Sequence, residues 1–142
     1  MTPDQLSVVV RTVSLVALYQ AVGATFFLAL FDASLSRSRL GIRRLGILSA
    51  FAGLVLVLAH QTLDAARLAD DFNALTDGAM LQLAWQSSSG TAHAAQALGL
   101  AGVGVGLIVA QRAGSLLATT GACVAALALL LTGHSSIHPL RW

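Results

Sequence analysis

Four apolar stretches constrain what this chain can fold into more than any other feature of its sequence. They span residues 12–31, 45–62, 92–110 and 115–132. A helix needs about 20 apolar residues to cross the hydrocarbon core of a bilayer, and the four stretches reach or approach that length. We therefore predict an all-α chain with a single transmembrane domain (residues 1–142), an integral membrane four-helix bundle.

Composition agrees with this prediction and argues against a soluble domain. Hydrophobic residues make up 56% of the chain and charged residues 10%, and the mean hydropathy is +0.80. A typical soluble domain has about 25% charged residues, and one of this size cannot hide so much apolar surface from water. The net charge of +2 rests on eight arginines scattered near the ends of the stretches. We therefore expect no nucleic-acid partner.

The first apolar stretch is expected to be a retained helix and not a cleaved signal peptide. Its leader carries Asp4, where a signal peptide has positive charge. The stretch is also longer than the roughly 7–15 apolar residues of such peptides. The single cysteine, Cys123, lies inside the fourth stretch and excludes a disulfide within the chain.

The charges between the stretches predict an orientation in the membrane. Four arginines lie between the first two stretches, and Arg112 lies between the last two. The outer loop, residues 63–91, carries four aspartates against the single Arg67. Because arginine is enriched in cytoplasmic loops, we expect a multi-pass protein of the bacterial inner membrane with both termini and residues 63–91 in the periplasm.

Residues 63–91 also contain a periodic apolar segment. Leucine, alanine and methionine recur at helical spacing between Thr76 and Gln86, and Asp77 near the start favours a helix N-terminus. We predict a short amphipathic outer helix on the membrane surface, with Trp85 at the interface. An ordered loop is the alternative.

Small and polar residues within the stretches predict how the helices pack. Gly102 and Gly106 form a GxxxG pair, which favours close approach of two helices in lipid. Gln20 and Gln96 are polar residues at membrane depth. We expect them to form hydrogen bonds between helices; lining a path for an ion is the alternative.

The four histidines fall at one membrane level on this topology, although they come from three separate segments. His60 ends the second stretch, His93 begins the third, and His134 and His138 follow the fourth. Neutral imidazole binds copper, zinc and iron, so we predict that these histidines form a metal site at the outer end of the bundle. Asp64, four residues from His60, is placed to orient that ring. Histidines that merely tolerate the interface are the alternative.

With these features placed, the chain resembles the N-terminal half of the copper resistance D (CopD) family of inner-membrane proteins. Three regions carry the resemblance. The second helix and its exit read GILSAFAGLVLVLAHQTLDA. The segment leading into the third helix reads DGAMLQLAWQSSSGTAHAAQALGLA. The fourth helix ends in LLTGHSS, which is similar to the family's Gly-His at that position, here Gly133 and His134.

The resemblance implies copper handling: movement of copper across the inner membrane or its delivery to periplasmic copper proteins. It makes His134 the first candidate copper ligand, while His60, His93 and His138 follow from the topology. Members of the family continue into further helices, and this chain ends at Trp142. We therefore expect a truncated member, a fragment, or a half that assembles with a partner membrane subunit or as a homo-oligomer.

The predicted function is to bind or pass copper ions at the periplasmic side of the inner membrane, with the lipid bilayer as the surrounding partner. The chain lacks the HExxH and CxxC motifs and any recognisable nucleophile, base and acid spacing, so we expect no enzyme activity. Two other functions stay open. Paired histidines of a membrane bundle also hold haem, and a non-catalytic scaffold or assembly subunit needs no cofactor.

Overall fold

The structure is a computed structural model that describes residues 2–31, 34–35, 37–109 and 111–131. Within these residues the α-helices are α1 (Pro3–Phe31), α2 (Arg39–Ala69), α3 (Gly78–Gln86), α4 (Ser88–Val109) and α5 (Arg112–Leu131), with a 3-10 helix at Phe72–Thr76. Helices α1, α2, α4 and α5 are long and apolar enough to cross a membrane. The prediction of an all-α, four-helix membrane protein with a short outer helix is therefore confirmed.

The helices extend beyond the apolar stretches from which we predicted them. Helix α1 starts at Pro3 because Thr2 and Gln5 cap it reciprocally: each backbone N–H donates to the other side chain. Helix α2 continues to Ala69 and ends where Asp70 adopts a left-handed conformation with φ of 51°. Residues 63–91, which we predicted as a loop with one short helix, are thus helical at both ends as well.

The membrane helices form a ring in which each one packs against its neighbours. Helix α1 packs on α2, α2 on α4, α4 on α5, and α5 returns to α1. The starts of α1 and α4 and the ends of α2 and α5 meet at one end, which also carries α3 and which we call the outer end. The opposite end, with Arg39, Arg43 and Arg112, is the inner end.

Two aspartates organise the segment between α2 and α4. The Asp77 carboxylate accepts a hydrogen bond from the Ala79 backbone N–H and caps α3, as its position in the sequence predicted. The Asp71 carboxylate accepts from the backbone and side-chain N–H groups of Asn73, which hold its pKa below the ordinary value. The short helix is therefore fixed by local hydrogen bonds as well as by packing against α2 and α4.

Small residues fill the interior of the bundle, and large apolar residues face outward. The fully buried positions are mostly alanine and glycine, with Leu18, Leu100 and Val103 among the few larger side chains. Large side chains exposed on the outside include Val16, Leu30, Leu48, Leu98, Leu116 and Leu130. This distribution suits a bundle in lipid, where large apolar side chains gain nothing by turning inward.

Helices α4 and α5 approach each other closely through glycine. A Cβ atom added to Gly99 would lie 2.6 Å from the Ala125 backbone nitrogen and 2.7 Å from the Gly121 carbonyl oxygen. Gly106 is crowded in the same way by the α5 backbone at Gly114 and Ala118. The predicted Gly102 is less crowded, because its added Cβ would lie 3.4 Å from the Gly121 Cα. Gly99 and Gly106, seven residues apart, therefore define the α4–α5 contact.

We predict that Gly99→Ala destabilises the bundle by about 1–3 kcal/mol, because the new methyl group meets backbone atoms that cannot rotate away. Thermal unfolding in detergent, followed by circular dichroism, measures the effect. Gly102→Ala and Gly23→Ala are the controls, since a methyl group has ordinary contact at the first and open space at the second. Equal unfolding midpoints for all three variants would refute close backbone packing at Gly99.

Candidate functional site

A cavity of about 420 Å³ opens at the outer end of the bundle. All four membrane helices contribute to its walls, and most of its polar side chains come from α1, α2 and α4. The polar and charged lining residues are Asp4, Arg11, Ser14, His60, Asp64, Arg67, Ser87, Ser89, His93 and Gln96. The cavity is therefore the place where the polar residues predicted at this membrane level meet.

His60 lies in α2 and is held by a residue of α1. Its side chain is buried, and its Nδ1 atom is 3.2 Å from the Ser7 hydroxyl oxygen. A serine hydroxyl can donate or accept, so this hydrogen bond fixes the ring without imposing one tautomer. When Nδ1 carries the proton and donates to Ser7, Nε2 has a free lone pair for a metal ion.

His93 lies in the first turns of α4 and is held by α2. Its Nδ1 atom is 2.6 Å from the Oε1 atom of Gln61, which is fully buried. With the Gln61 amide assigned so that its oxygen faces the ring, this contact places the proton on Nδ1 and leaves the lone pair on Nε2, because an amide oxygen only accepts hydrogen bonds. That is the tautomer in which an imidazole binds a metal ion through Nε2.

The two imidazole rings are in direct contact. Their centres are 5.0 Å apart and their planes make an angle of 81°. A metal-bound imidazole has its ring centre roughly 3.2 Å from the ion, given metal–nitrogen bonds of about 2.0–2.1 Å. Two rings that share an ion therefore have centres at most about 6.4 Å apart, and the observed spacing fits a shared ion with a bent nitrogen–metal–nitrogen angle.

Asp64 lies beside the rings, but it does not form the predicted hydrogen bond to His60. Its carboxylate accepts hydrogen bonds from Arg67 (3.2 Å) and Ser89 (3.4 Å), and Ser7 takes the place at His60. The negative charge of Asp64 nevertheless acts on both His60 and His93. Asp64 thus places a negative charge near both rings, in a cavity that also contains the positive charges of Arg11 and Arg67.

Sequence reasoning missed Ser7, Gln61 and the ion pair that joins α1 to α2. Arg67 donates to Asp4 at 2.8 Å as well as to Asp64. Gln61 was detectable as the polar neighbour of His60 within an apolar run, whereas Ser7 lies outside the apolar stretches and had no such signal. These residues come together only through the rotation of α1 and α2 about their axes.

The two glutamines predicted at membrane depth have different environments. Gln20 Oε1 accepts a hydrogen bond from the Ser49 hydroxyl at 3.0 Å, which joins α1 to α2 and confirms the predicted interhelical bond. Gln96 is buried and lines the outer cavity. Gln96 therefore belongs to the candidate site, while Gln20 contributes to packing.

Two of the four histidines predicted as metal ligands lie outside the described residues. His134 and His138 are in that part of the chain, three and seven residues after Leu131, which lines the cavity. In the ranges that the structure describes, no group of three or more His, Cys, Asp or Glu side chains is arranged to hold a metal ion. The described part of the cavity thus contains two imidazoles and the carboxylates of Asp4 and Asp64.

Fold and cavity together define a class: a multi-pass helical membrane protein with a pair of buried histidines at one end of its bundle. The family model described as Copper resistance protein D-like, N-terminal domain, matches residues 1–139. The chain belongs to this family, which confirms the resemblance drawn from its sequence and makes it a copper-resistance-related membrane protein. No curated protein and no solved structure matches the chain.

We predict that Gln61→Met changes the tautomer of His93, because methionine fills a similar space and its thioether sulfur is only a weak acceptor for the Nδ1 proton. The Gln61 Nε2 group has no hydrogen-bond partner among the described residues, so its removal offsets part of the lost bond, and stability should change by about 1 kcal/mol or less. Nitrogen-15 NMR of labelled histidine reports the tautomer. Gln20→Met is the control, and unchanged His93 shifts in Gln61→Met would contradict the assignment.

Proposed function

We propose that this chain binds copper ions at the outer end of its bundle and passes them on without acting as an enzyme. The observation that carries the proposal is the pair of buried imidazoles, His60 and His93, in contact inside a cavity of a protein from a copper resistance family. Copper is here the cargo of the protein. Imidazole is a good ligand for it, and Asp64 adds an attractive charge.

The hydrogen bonds around the rings support metal binding over a purely structural role. Each Nδ1 atom has a partner on a different helix, Ser7 for His60 and Gln61 for His93. Metal-binding histidines commonly donate their second N–H to such a partner, which fixes the ring and raises the basicity of the other nitrogen. In both rings Nε2 is thus the nitrogen left without one of these hydrogen bonds, and it binds an ion in His60 when Nδ1 donates to Ser7.

We assign the remaining ligands to His134 and His138. The resemblance to the family places a Gly-His at the end of the last helix, and Leu129 and Leu131 already line the cavity. His134 is the third residue after Leu131, and a chain segment of this length can span up to about 10 Å, enough to reach the cavity mouth. A third nitrogen would complete a coordination sphere that the described residues leave open.

The spacing of the rings supports an ion over a haem held between them. Axial ligands on opposite sides of a haem iron have ring centres about 6.4 Å apart, with the porphyrin plane between them. His60 and His93 are 5.0 Å apart and in edge-to-face contact, which leaves no room for a porphyrin. We therefore retain copper as the proposed cargo.

The orientation we propose places the outer end in the periplasm. Arg39, Arg43 and Arg112 lie at the inner end together with Arg37 and Arg44, while Asp64, Asp70, Asp71 and Asp77 lie at the outer end. The positive-inside rule places the arginine-rich end in the cytoplasm of a bacterial cell. The site then faces the periplasm, where it can exchange copper with periplasmic copper proteins.

We predict that His60→Ala, His93→Ala and His134→Ala each weaken copper binding by at least about tenfold, since even residues that only orient metal ligands change affinity by 10–100-fold. The double variant of His60 and His93 should lose the ion. Copper per chain is measured by elemental analysis of detergent-purified protein after loading and desalting, with an absorption spectrum to detect haem.

Gln20→Ala is the matched control for this series, because it removes a polar side chain of the same bundle away from the histidines. It should keep the copper content of the unaltered chain. Full copper content in the double histidine variant would overturn the proposed site, and a haem absorption band that the variants lose would favour the haem-binding alternative.

The orientation predicts a difference in labelling from outside the cell. In a Cys123→Ala background, Thr76→Cys should react with a membrane-impermeant maleimide added to intact cells, because residue 76 lies at the outer end. Ser38→Cys, at the inner end, should react only after the cells are broken. The opposite pattern would place the histidine cavity on the cytoplasmic side.

A further inference from the structure

The outward side of α1 carries a row of residues that recur at alternating steps of four and three positions. This α1 row consists of Val9, Val13, Val16, Gln20, Gly23, Phe27 and Leu30, all of them exposed. Residues with this spacing form a continuous seam along one helix that fits a second helix in a left-handed coil. The opposite side of α1, with Leu18 and Ala21, packs into the bundle. The α1 row therefore has the spacing of an interhelical contact while it faces away from the bundle.

Gln20, the polar member of the α1 row, lies deep in the hydrocarbon core. It is 17 residues after Pro3 and 11 residues before Phe31, which places it about 25 Å and 16 Å from the two ends of α1. The whole helix is about 43 Å long and the core about 30 Å thick. Side chains lean toward the helix N-terminus, which for Gln20 is the more distant end. Its amide therefore cannot reach either layer of lipid headgroups.

The Gln20 amide is only partly satisfied within the described chain. Its Oε1 atom accepts a hydrogen bond from the Ser49 hydroxyl at 3.0 Å, and an amide oxygen can accept a second one. Among the described residues no partner is found for its Nε2 atom, which has two N–H groups to donate. Lipid tails offer no acceptor, so polar groups left against them are costly. The amide thus has two donors and one acceptor position available to a neighbour in the membrane.

We propose that two copies of this chain pair through the α1 row, with their Gln20 amides hydrogen-bonded to each other across a two-fold axis. An amide is self-complementary, since the Nε2 atom of each copy can donate to the Oε1 atom of the other. All copies insert with the same orientation because each carries the same arginine bias. The paired α1 helices are then parallel, and every residue of the α1 row meets its own counterpart at the same depth. The inference does not depend on the copper site.

Two further features of the α1 row favour a second copy as the occupant. A single polar residue within an apolar seam fixes the register of a parallel helix pair, and in this register Gln20 meets Gln20. Gly23 lies one turn away, and a Cβ atom added to it would meet nothing within 4 Å. The two backbones can therefore approach closely beside the amides, which small residues favour in lipid.

Cysteine cross-linking in native membranes tests this geometry. In a Cys123→Ala background, Val16→Cys and Gly23→Cys introduce thiols in the α1 row. Val55→Cys in α2 and Leu116→Cys in α5 introduce them at exposed positions of other helices, with side chains about as exposed as that of Val16. Oxidation with iodine should give disulfide-linked dimers for the first two variants and monomers for the controls, because a disulfide needs Cα atoms within about 7 Å of each other.

Sedimentation equilibrium in density-matched neutral detergent measures the contribution of Gln20. We expect Gln20→Leu to weaken the dimer dissociation constant by about tenfold, the effect of losing two membrane hydrogen bonds of ordinary strength. Ser49→Ala is the matched control, because it removes the bond within the chain and keeps the Gln20 amide. It should leave the constant unchanged. Circular dichroism verifies that both variants are folded, and the cross-linking pattern decides alone if Gln20→Leu does not fold.

Each outcome decides the proposal. Cross-links confined to the α1 row, together with weaker association of Gln20→Leu alone, support it. A chain that stays monomeric at every ratio of protein to detergent overturns it. Equal cross-linking of all four cysteine variants also overturns it, because random collisions then explain the dimers. An unchanged constant in Gln20→Leu, or equal weakening in Ser49→Ala, excludes pairing through the two amides.

Discussion

Close packing of small residues is the interaction on which the rest of this bundle depends. In lipid, apolar side chains lose nothing by facing outward, so helices associate where their backbones can approach each other. Gly99 and Gly106 allow this between α4 and α5, where added methyl groups would meet the opposite backbone. The α4–α5 contact fixes the position of α4, and α4 carries His93 at one end and the carbonyls that hold Arg43 at the other.

At the outer end, several polar side chains are buried between these otherwise apolar helices. Ser7, His60, Gln61 and His93 are all buried, and they pair across three helices. One of these groups, the Gln61 side-chain N–H₂, lacks a partner in the part of the chain that the structure describes, and an unpaired buried group of this kind costs roughly 1–3 kcal/mol. The hydrogen bonds with Ser7 and Gln61 hold the two imidazoles in fixed positions, which the proposed function requires.

The sequence was sufficient to predict the four helices, because hydropathy over about 20 residues reports burial in lipid directly. It did not predict the helix ends, which depend on local capping at Thr2, Gln5 and Asp70. The predicted topology placed His60 and His93 at one membrane level. The sequence did not predict which side chains form hydrogen bonds with them. Ser7 and Gln61 meet the histidines through helix rotation, and a chain of mostly small and apolar residues carries little information about rotation.

The length of α2 sets the electrical work of the proposed entry of copper from the periplasm. His60 lies 16 residues after Arg44, a rise of about 24 Å in a helix. With Arg44 at the inner boundary of a hydrocarbon core of about 30 Å, His60 is roughly 6 Å below the outer boundary. An ion arriving from outside has then crossed about one fifth of the membrane field, worth ~0.5 kcal/mol per charge at 100 mV. The proposed capture at the histidines would thus be nearly independent of membrane voltage, and any further inward movement would cross the remaining four fifths of the field.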